Sequence, residues 1–119
     1  MRVIVCGSRR WRDREKIADR LFDLGLVTDN LGCTLVSGGA GGADNICEQE
    51  GQKLGLLVEV HKPDYDAYPG KQAPLRRNEK MAGLGADLCL AFWDGRSTGT
   101  AHMMAQAGKA GIPVEVIEQ

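Results

Sequence analysis

The segment from residue 33 to residue 44 reads CTLVSGGAGGAD. It starts with the apolar run Cys33–Val36, which is typical of a buried strand, and continues into a turn that holds four glycines between positions 38 and 42. From Ala43 to Leu54, apolar residues recur at helical spacing. A strand that passes through a glycine turn directly into a helix is the repeating unit of α/β folds. The rest of the chain repeats this order.

Four more apolar runs predict strands on either side of this segment. They are Val3–Cys6, Leu56–Val60, Leu88–Phe92 and Pro113–Ile117. The segments between them predict three further helices, one capped by Asp13, one from Pro74 to Gly83 and one from Thr100 to Ala110. Because the strand runs show little alternation of apolar and polar residues, we expect both faces of the sheet to be covered. We predict a single α/β domain spanning residues 1–119, with three layers and a mainly parallel five-stranded sheet.

Composition narrows the function classes. The 119 residues include 15 Lys plus Arg and 16 Asp plus Glu, which gives a net charge of −1. Proteins that coat nucleic acid indiscriminately carry a basic excess, so this balance argues against a nucleic-acid partner. No apolar run reaches the ~20 residues of a membrane span, and the apolar stretch at the N-terminus is too short for a secretion signal. We therefore expect a cytoplasmic protein with no membrane partner.

Residue types that bind metals show no ligand spacing. The cysteines at positions 6, 33, 47 and 89 form no Cys-x-x-Cys pair, and each lies in or beside an apolar segment. We expect them to pack in the core as small hydrophobic residues. The histidines at positions 61 and 102 have no neighbours at ligand spacing either. The sequence therefore predicts no metal site and no bound cofactor.

Three of the predicted strands end in glycine-bearing turns. These turns are Gly7–Trp11, Ser37–Asp44 and Trp93–Thr100. Carboxyl ends of parallel strands meet at one edge of a sheet, where open α/β sheets bind their ligands. Glycine lets the backbone approach a phosphate closely, and the helix that follows offers free N–H groups and a positive dipole end. The alternative is that the glycines only permit tight connections, but their density favours phosphate contact.

We predict that this edge binds a phosphate-bearing ligand. The predicted contacts from the three turns are Gly7, Ser8, Arg9, Ser37, Gly38, Gly39, Ala40, Gly42, Asp44, Trp93, Gly99 and Thr100. From the third helix, Arg77 adds positive charge, and the amide of Asn78 can read a base or a ribose. Two nucleotide fingerprints are absent, because Asp44 replaces the third glycine of the dinucleotide motif and no P-loop motif occurs.

Several of these residues also have a purely structural interpretation. Asp44 either accepts a hydrogen bond from a ribose hydroxyl or stabilises the start of its helix, and the sequence leaves both open. Trp93 either stacks on a base or packs against the sheet edge, whereas packing is favoured for Trp11. Tyr65 and Tyr68 lie in a long loop and either close over the ligand or anchor that loop.

Taken together, the motifs resemble the SLOG superfamily, and within it the YspA-like branch of small bacterial and phage proteins. The segments that carry the resemblance are VIVCGSR at positions 3–9, VSGGAGGAD at 36–44, Arg77-Asn78, Gly99-Thr100 and GIPV at 111–114. The resemblance covers nearly the whole chain. It implies a Rossmann-like fold and a pocket that binds or senses a nucleotide or an ADP-ribose-like small molecule. Relatives commonly self-associate, so a homo-oligomer is an open alternative.

A related family implies a nucleotide N-glycosidase. The lonely-guy phosphoribohydrolases cleave the glycosidic bond of nucleoside monophosphates with an arginine and a glutamate. Their arginine precedes a methionine by four residues, as Arg77 precedes Met81, but Met103 stands at the glutamate position. Because a thioether neither stabilises an oxocarbenium-like charge nor transfers a proton, a hydrolase would need another residue. The alternatives are Asp94, Asp44 and His102, and the catalytic residues stay unassigned.

A second related family implies binding of single-stranded DNA. The DNA-processing protein A (Smf) family shares the Ser-Gly-x-Ala-x-Gly-x-Asp turn at positions 37–44 and an Arg-Asn pair at the start of a helix. Its members bind single-stranded DNA. The even charge balance of this chain ranks that function behind binding of a small nucleotide.

Overall fold

The computed structural model describes residues 1–28 and 32–118 and contains the five strands and four helices that the sequence predicts. In chain order they are β1 (Arg2–Gly7), α1 (Arg14–Thr28), β2 (Thr34–Ser37), α2 (Ala43–Lys53), β3 (Leu57–Val60), α3 (Gln72–Gly83), β4 (Leu88–Trp93), α4 (Thr98–Lys109) and β5 (Val114–Glu118). α4 starts two residues before its predicted start because Ser97 caps it, its hydroxyl accepting a hydrogen bond from the Thr100 N–H at 3.4 Å. The carboxylate of Asp13 accepts from the Lys16 N–H at 3.2 Å, as the predicted cap of α1 requires.

All neighbouring strands of the sheet run parallel, in the order β3-β2-β1-β4-β5. The chain builds outward from β1 through β2 to β3, and then crosses back to place β4 on the other side of β1. The strand order therefore reverses between β1 and β4. In open α/β sheets, a crevice forms at such a reversal, beyond the carboxyl ends of the strands.

Two apolar clusters cover the two faces of the sheet and confirm the three-layer arrangement. Alternate residues of β1 point to opposite faces, with Val3 and Val5 in one cluster and Ile4 and Cys6 in the other. The first cluster packs against α1 and α2, and the second packs against α3 and α4. All four cysteines are buried, as predicted. No helix in the described part of the chain is both long and apolar enough to cross a membrane.

Gly7, at the end of β1, lies where two other segments approach the strand most closely. A Cβ atom on Gly7 would lie 2.5 Å from the Phe92 carbonyl oxygen and 2.6 Å from the Ala43 Cβ. Real Cβ atoms do not approach other atoms so closely, so a side chain here would force β4 and the start of α2 away from β1. The junction of these three elements therefore depends on a glycine.

We expect Gly7→Ala to lower the free energy of unfolding by roughly 1–3 kcal/mol, because it overpacks this junction. The control is Gly108→Ala in α4, where an added Cβ would meet nothing within 4 Å. That change should stabilise the protein by about 0.4–1 kcal/mol through reduced chain entropy of the unfolded state. Urea unfolding followed by circular dichroism measures both. Equal stabilities of the two variants would contradict this account of the junction.

Candidate functional site

A cleft of about 800 Å³ opens at the point where the strand order reverses. Its walls are the turns that follow β1, β2 and β4, together with the N-terminal half of α3. Ten of the fourteen predicted contact residues line it: Gly7, Ser8, Arg9, Gly38, Ala40, Asp44, Arg77, Asn78, Gly99 and Thr100. The structure thus brings parts of all three glycine-bearing turns into one cleft.

The cleft is electropositive although the chain as a whole is not. Five cationic side chains line it: Arg9, Arg10, Lys71, Arg77 and Arg96. Only two carboxylates, Asp44 and Asp94, accompany them among the lining residues. The nearly even charge of the chain therefore hides a local basic excess, which focuses a positive potential into the recess.

Apolar side chains form the floor of the cleft. Cys6 from β1, Met81 from α3 and Met103 from α4 line it, and all three belong to the apolar cluster between the sheet and helices α3 and α4. The Cys6 thiol lies 4.0 Å from the Cys89 sulfur, and this contact together with burial raises the pKa of Cys6 well above its ordinary value. Cys6 is therefore a neutral thiol at neutral pH and contributes apolar surface rather than a nucleophile.

The turn after β1 is fixed by hydrogen bonds to both of its neighbours. The Ser8 N–H donates to the Phe92 carbonyl, and the Ser8 carbonyl accepts from the Ala43 N–H, both at 3.0 Å. The Ser8 hydroxyl donates to Asp94 Oδ2 at 2.9 Å. Because Ser8 uses the Ala43 N–H, this donor at the start of α2 is not free for a ligand, in contrast to the expectation from the sequence.

The start of α4 retains free donors. Asp94 Oδ1 accepts hydrogen bonds from the N–H groups of Arg96 and Ser97, both at 2.8 Å, and these bonds lower the pKa of Asp94. Within residues 94–100, the Thr98 and Gly99 N–H groups have no hydrogen-bond partner in the described chain. Two free N–H groups and the positive dipole end of a twelve-residue helix therefore face the cleft, an arrangement that favours an anion.

Arg77 is partly buried and lacks a carboxylate partner. Its Nη1 donates to the Gly38 carbonyl, and its Nε donates to Asn78 Oδ1 at 2.9 Å. In the described part of the chain, no carboxylate forms an ion pair with it. Burial lowers the pKa of Arg77, although Asp44 acts in the opposite direction. A Cβ on Gly38 would lie 2.6 Å from the Arg77 Cζ, so the guanidinium packs where only a glycine leaves room.

Asn78 positions Arg77. Besides accepting from Arg77, its side chain donates from Nδ2 to His102 Nδ1 at 3.1 Å, which joins α3 to α4. Asn78 lines the cleft but is 5% exposed, and its amide is engaged within the protein. The structure thus gives Asn78 a supporting contact on Arg77, and His102 is not among the residues that line the cleft.

Asp44 is a buried charge of the cleft that is incompletely partnered. Its side chain is 5% exposed, and Oδ2 accepts from the Ala40 N–H at 3.2 Å. Its Oδ1 is buried without any hydrogen-bond partner in the described chain. Burial raises the pKa of Asp44 to about 6, against the opposing influence of the Ala40 N–H and Arg77. A buried carboxylate oxygen without a donor is costly to the folded state.

Four predicted contact residues lie outside the cleft lining: Ser37, Gly39, Gly42 and Trp93. The Ser37 hydroxyl donates to Glu48 Oε2 at 2.6 Å and accepts from the Gly39 N–H at 3.2 Å. Gly42 has a φ of 69°, and a Cβ there would lie 2.5 Å from the Ser8 carbonyl oxygen. The Trp93 indole donates to the Ser97 carbonyl at 3.0 Å. These residues shape the turns around the cleft.

The other aromatic side chains also lie outside the cleft lining. Trp11 is 2% exposed and packs edge-on against Phe92, with ring centroids 5.6 Å apart, which confirms the packing interpretation. Tyr68 lies under the Arg76 guanidinium at 5.5 Å from its ring centroid, and Tyr65 is exposed. Within residues 1–28 and 32–118, no group of three or more His, Cys, Asp or Glu side chains could hold a metal ion.

Sequence reasoning missed several lining residues. Arg10 and Arg96 line the cleft, yet neither is among the predicted contacts although both lie in predicted turns. Lys71 and Leu75 come from the start of α3, and no glycine motif marks that segment. The signal that could have found these residues is the clustering of cationic residues in and beside the three turns. The total charge of the chain does not show this clustering.

Comparisons with known proteins identify relatives in sequence and in fold. A sequence model of the YspA, cpYpsA-related SLOG family matches residues 1–68. Gene 61 protein of Mycobacterium phage D29 is 45% identical over 120 residues, covering 95% of this chain and 93% of that protein. The family model and this relative each match more than half of the chain.

Two solved structures share the fold. DNA processing protein A (DprA) from Streptococcus pneumoniae gives a TM-score of 0.75 at 21% identity, over 97% of this chain and 49% of that chain. DNA processing protein A from Helicobacter pylori, whose structure concerns a single-stranded DNA binding mode, gives a TM-score of 0.72 at 21% identity, over 100% of this chain and 66% of that chain. The chain thus spans about half of one protein and two thirds of the other. At this identity the likeness establishes the Rossmann-like fold.

The state of Asp44 predicts how stability depends on pH. Its folded-state pKa of about 6 exceeds the ordinary value of 3.8, so folding opposes its ionisation. The resulting destabilisation is absent below about pH 4 and complete above about pH 6. We therefore expect Asp44→Asn to be more stable than the wild type by about 2–3 kcal/mol at pH 7.5, with the difference vanishing near pH 4. Urea unfolding of both proteins at the two pH values measures this. A difference that does not change with pH would contradict it.

Proposed function

Because the chain belongs to the YspA, cpYpsA-related SLOG family, we propose that it binds a nucleotide-derived, phosphate-containing small molecule in the cleft beside β1 and β4. One observation carries the proposal. The partly buried Arg77 guanidinium without a carboxylate partner and the free N–H groups at the start of α4 line the same recess. Both arrangements favour an anion.

The cleft also suits the rest of a nucleotide. Its volume of about 800 Å³ lies within the range of roughly 300–1,000 Å³ found for small-molecule sites. Phosphates are compatible with the cationic rim, and the apolar floor that includes Met81 and Met103 suits the face of a base or other apolar group. A nucleotide combines these two chemistries, whereas inorganic phosphate would leave the floor unused.

The N-glycosidase alternative has weaker support. Met103, at the position of the catalytic glutamate in the resembling hydrolases, is 1% exposed and forms part of the floor. Asp94 uses both carboxylate oxygens in its own turn and with Ser8. Asp44 is therefore the one lining carboxylate with an unused oxygen, and its position on α2 suits contact with a ligand hydroxyl at least as well as catalysis.

Single-stranded DNA is the second candidate ligand. The local excess of five cations over two carboxylates favours a polyanion more than the total charge suggested. The H. pylori structure with the same fold is described by its single-stranded DNA binding mode. A groove lined by Lys62, Tyr68, Arg76 and Lys80 shares Arg77 with the cleft. Its cations outnumber its two carboxylates, Asp64 and Glu79, so a net positive surface continues beyond the cleft. Such a surface with an exposed aromatic ring suits a strand longer than one nucleotide.

The proposed function is tested by thermal shift and calorimetry with nucleoside mono- and diphosphates, ADP-ribose and cyclic dinucleotides. We expect at least one to raise the melting temperature at millimolar concentration. Arg77→Ala should weaken its binding about tenfold or more, because a charge-assisted hydrogen bond to phosphate is lost.

The matched control for this test is the neighbouring residue on α3. Arg76 is exposed and pairs with Glu79, so Arg76→Ala should bind the small molecule with unchanged affinity. Absence of binding by the whole panel, or equal losses in the two variants, would contradict the proposal.

The second candidate is tested by a gel shift with single-stranded oligonucleotides of 10–30 nucleotides at several salt concentrations. If DNA is the ligand, binding should weaken steeply with salt, and both Arg76→Ala and Arg77→Ala should reduce it and flatten the salt dependence. Binding that depends on neither arginine would exclude the surface formed by the cleft and groove as its site.

A further inference from the structure

One carboxylate oxygen in the cleft, Asp44 Oδ1, lacks a hydrogen-bond donor among the described residues. This lack indicates which chemical group of a ligand would lie against Asp44. Asp44 lines the cleft, and its Oδ1 has no hydrogen-bond partner in the described chain. Its other oxygen, Oδ2, accepts from the Ala40 N–H, so the side chain is held in place. Of the backbone N–H groups, those of Ala40 and Gly38 act on this carboxylate. A ligand that enters the cleft can add a donor at Oδ1.

Cations of the cleft do not supply this donor. Arg77 is close enough to influence the ionisation of Asp44, yet it donates to the Gly38 carbonyl and to Asn78 instead. In the described chain, Asp44 forms no ion pair. A neutral O–H or N–H donor brought in by a ligand would satisfy this oxygen.

Repulsion also excludes the phosphate from this position. An anionic group next to Asp44 would meet a carboxylate, whereas the start of α4 and the arginines offer it donors. A nucleotide that directs its phosphate to those donors has its sugar available for Asp44. Ribose carries adjacent hydroxyl groups that donate to a carboxylate, and deoxyribose lacks one of them.

We propose that Asp44 is a specificity-determining residue that accepts a hydrogen bond from a ribose hydroxyl, so that the cleft selects ribonucleotides over 2′-deoxyribonucleotides. The proposal rests on the proposed function. It also separates the two candidate ligands, because single-stranded DNA carries no 2′-hydroxyl for Asp44 to recognise.

The test compares AMP, GMP, CMP, UMP and ADP-ribose with their 2′-deoxy counterparts by isothermal titration calorimetry at pH 7.5. We expect the wild type to bind at least one ribose form about tenfold or more tightly than its deoxy form, the effect of one hydrogen bond to a charged group. In Asp44→Asn the ratio of the affinities for the ribose form and the deoxy form should fall to within about twofold, with the affinity for the deoxy form largely retained. The control, Asp19→Asn at an exposed position of α1, should keep the full ratio.

Each outcome bears on the proposal. Equal binding of both sugars by the wild type, or a ratio that survives in Asp44→Asn, would overturn the role of Asp44 while leaving the proposed function intact. Failure of every ribose and deoxyribose probe to bind the wild type would instead overturn the proposed function and this inference with it. The wild-type comparison needs no variant, so the proposal is testable even if Asp44→Asn does not fold.

Discussion

Three backbone segments meet without intervening side chains at the carboxyl end of β1, and the position of the cleft depends on that contact. Ser8 accepts from the start of α2 and donates to β4, each at 3.0 Å. Gly7 and Gly42 make the contact sterically feasible, because a Cβ at either position would meet backbone or side-chain atoms at about 2.5 Å. The turns after β1, β2 and β4 therefore form one continuous wall rather than three independent loops.

Charges in this wall are left incompletely paired, which distinguishes it from the core. Arg77 bonds to neutral acceptors, and Asp44 keeps one oxygen without a donor, although each influences the pKa of the other. Buried polar groups in folded proteins are almost always satisfied, so the partnerless oxygen of Asp44 is costly to the free protein. Arg77 is only partly buried and keeps its charge without a carboxylate partner. A ligand that carries both an anionic group and a hydroxyl group would pair with Arg77 and with Asp44. These two residues therefore link the stability of the free protein to the chemistry of the ligand and to the choice of its sugar.

The order of strands and helices and the ligand edge follow from the sequence, because apolar runs, helix caps and glycine turns are local signals. The direction in which each turn residue points is not local. Ser37 turns to Glu48, since α2 supplies that partner only after folding. Likewise, the −1 charge of the chain gave no indication that Arg10, Lys71 and Arg96 converge, because total charge carries no information about its distribution.

The central claim is that the free backbone N–H groups at the start of α4 and the Arg77 side chain bind an anionic ligand in one cleft. Nuclear magnetic resonance of the ¹⁵N-labelled protein titrated with ADP reports on these groups directly. The account predicts that the largest shift changes occur at the Thr98 and Gly99 amides and at the Arg77 Nε–H, and that they saturate together. Shift changes confined to residues outside the cleft, or none at millimolar ADP, would contradict it.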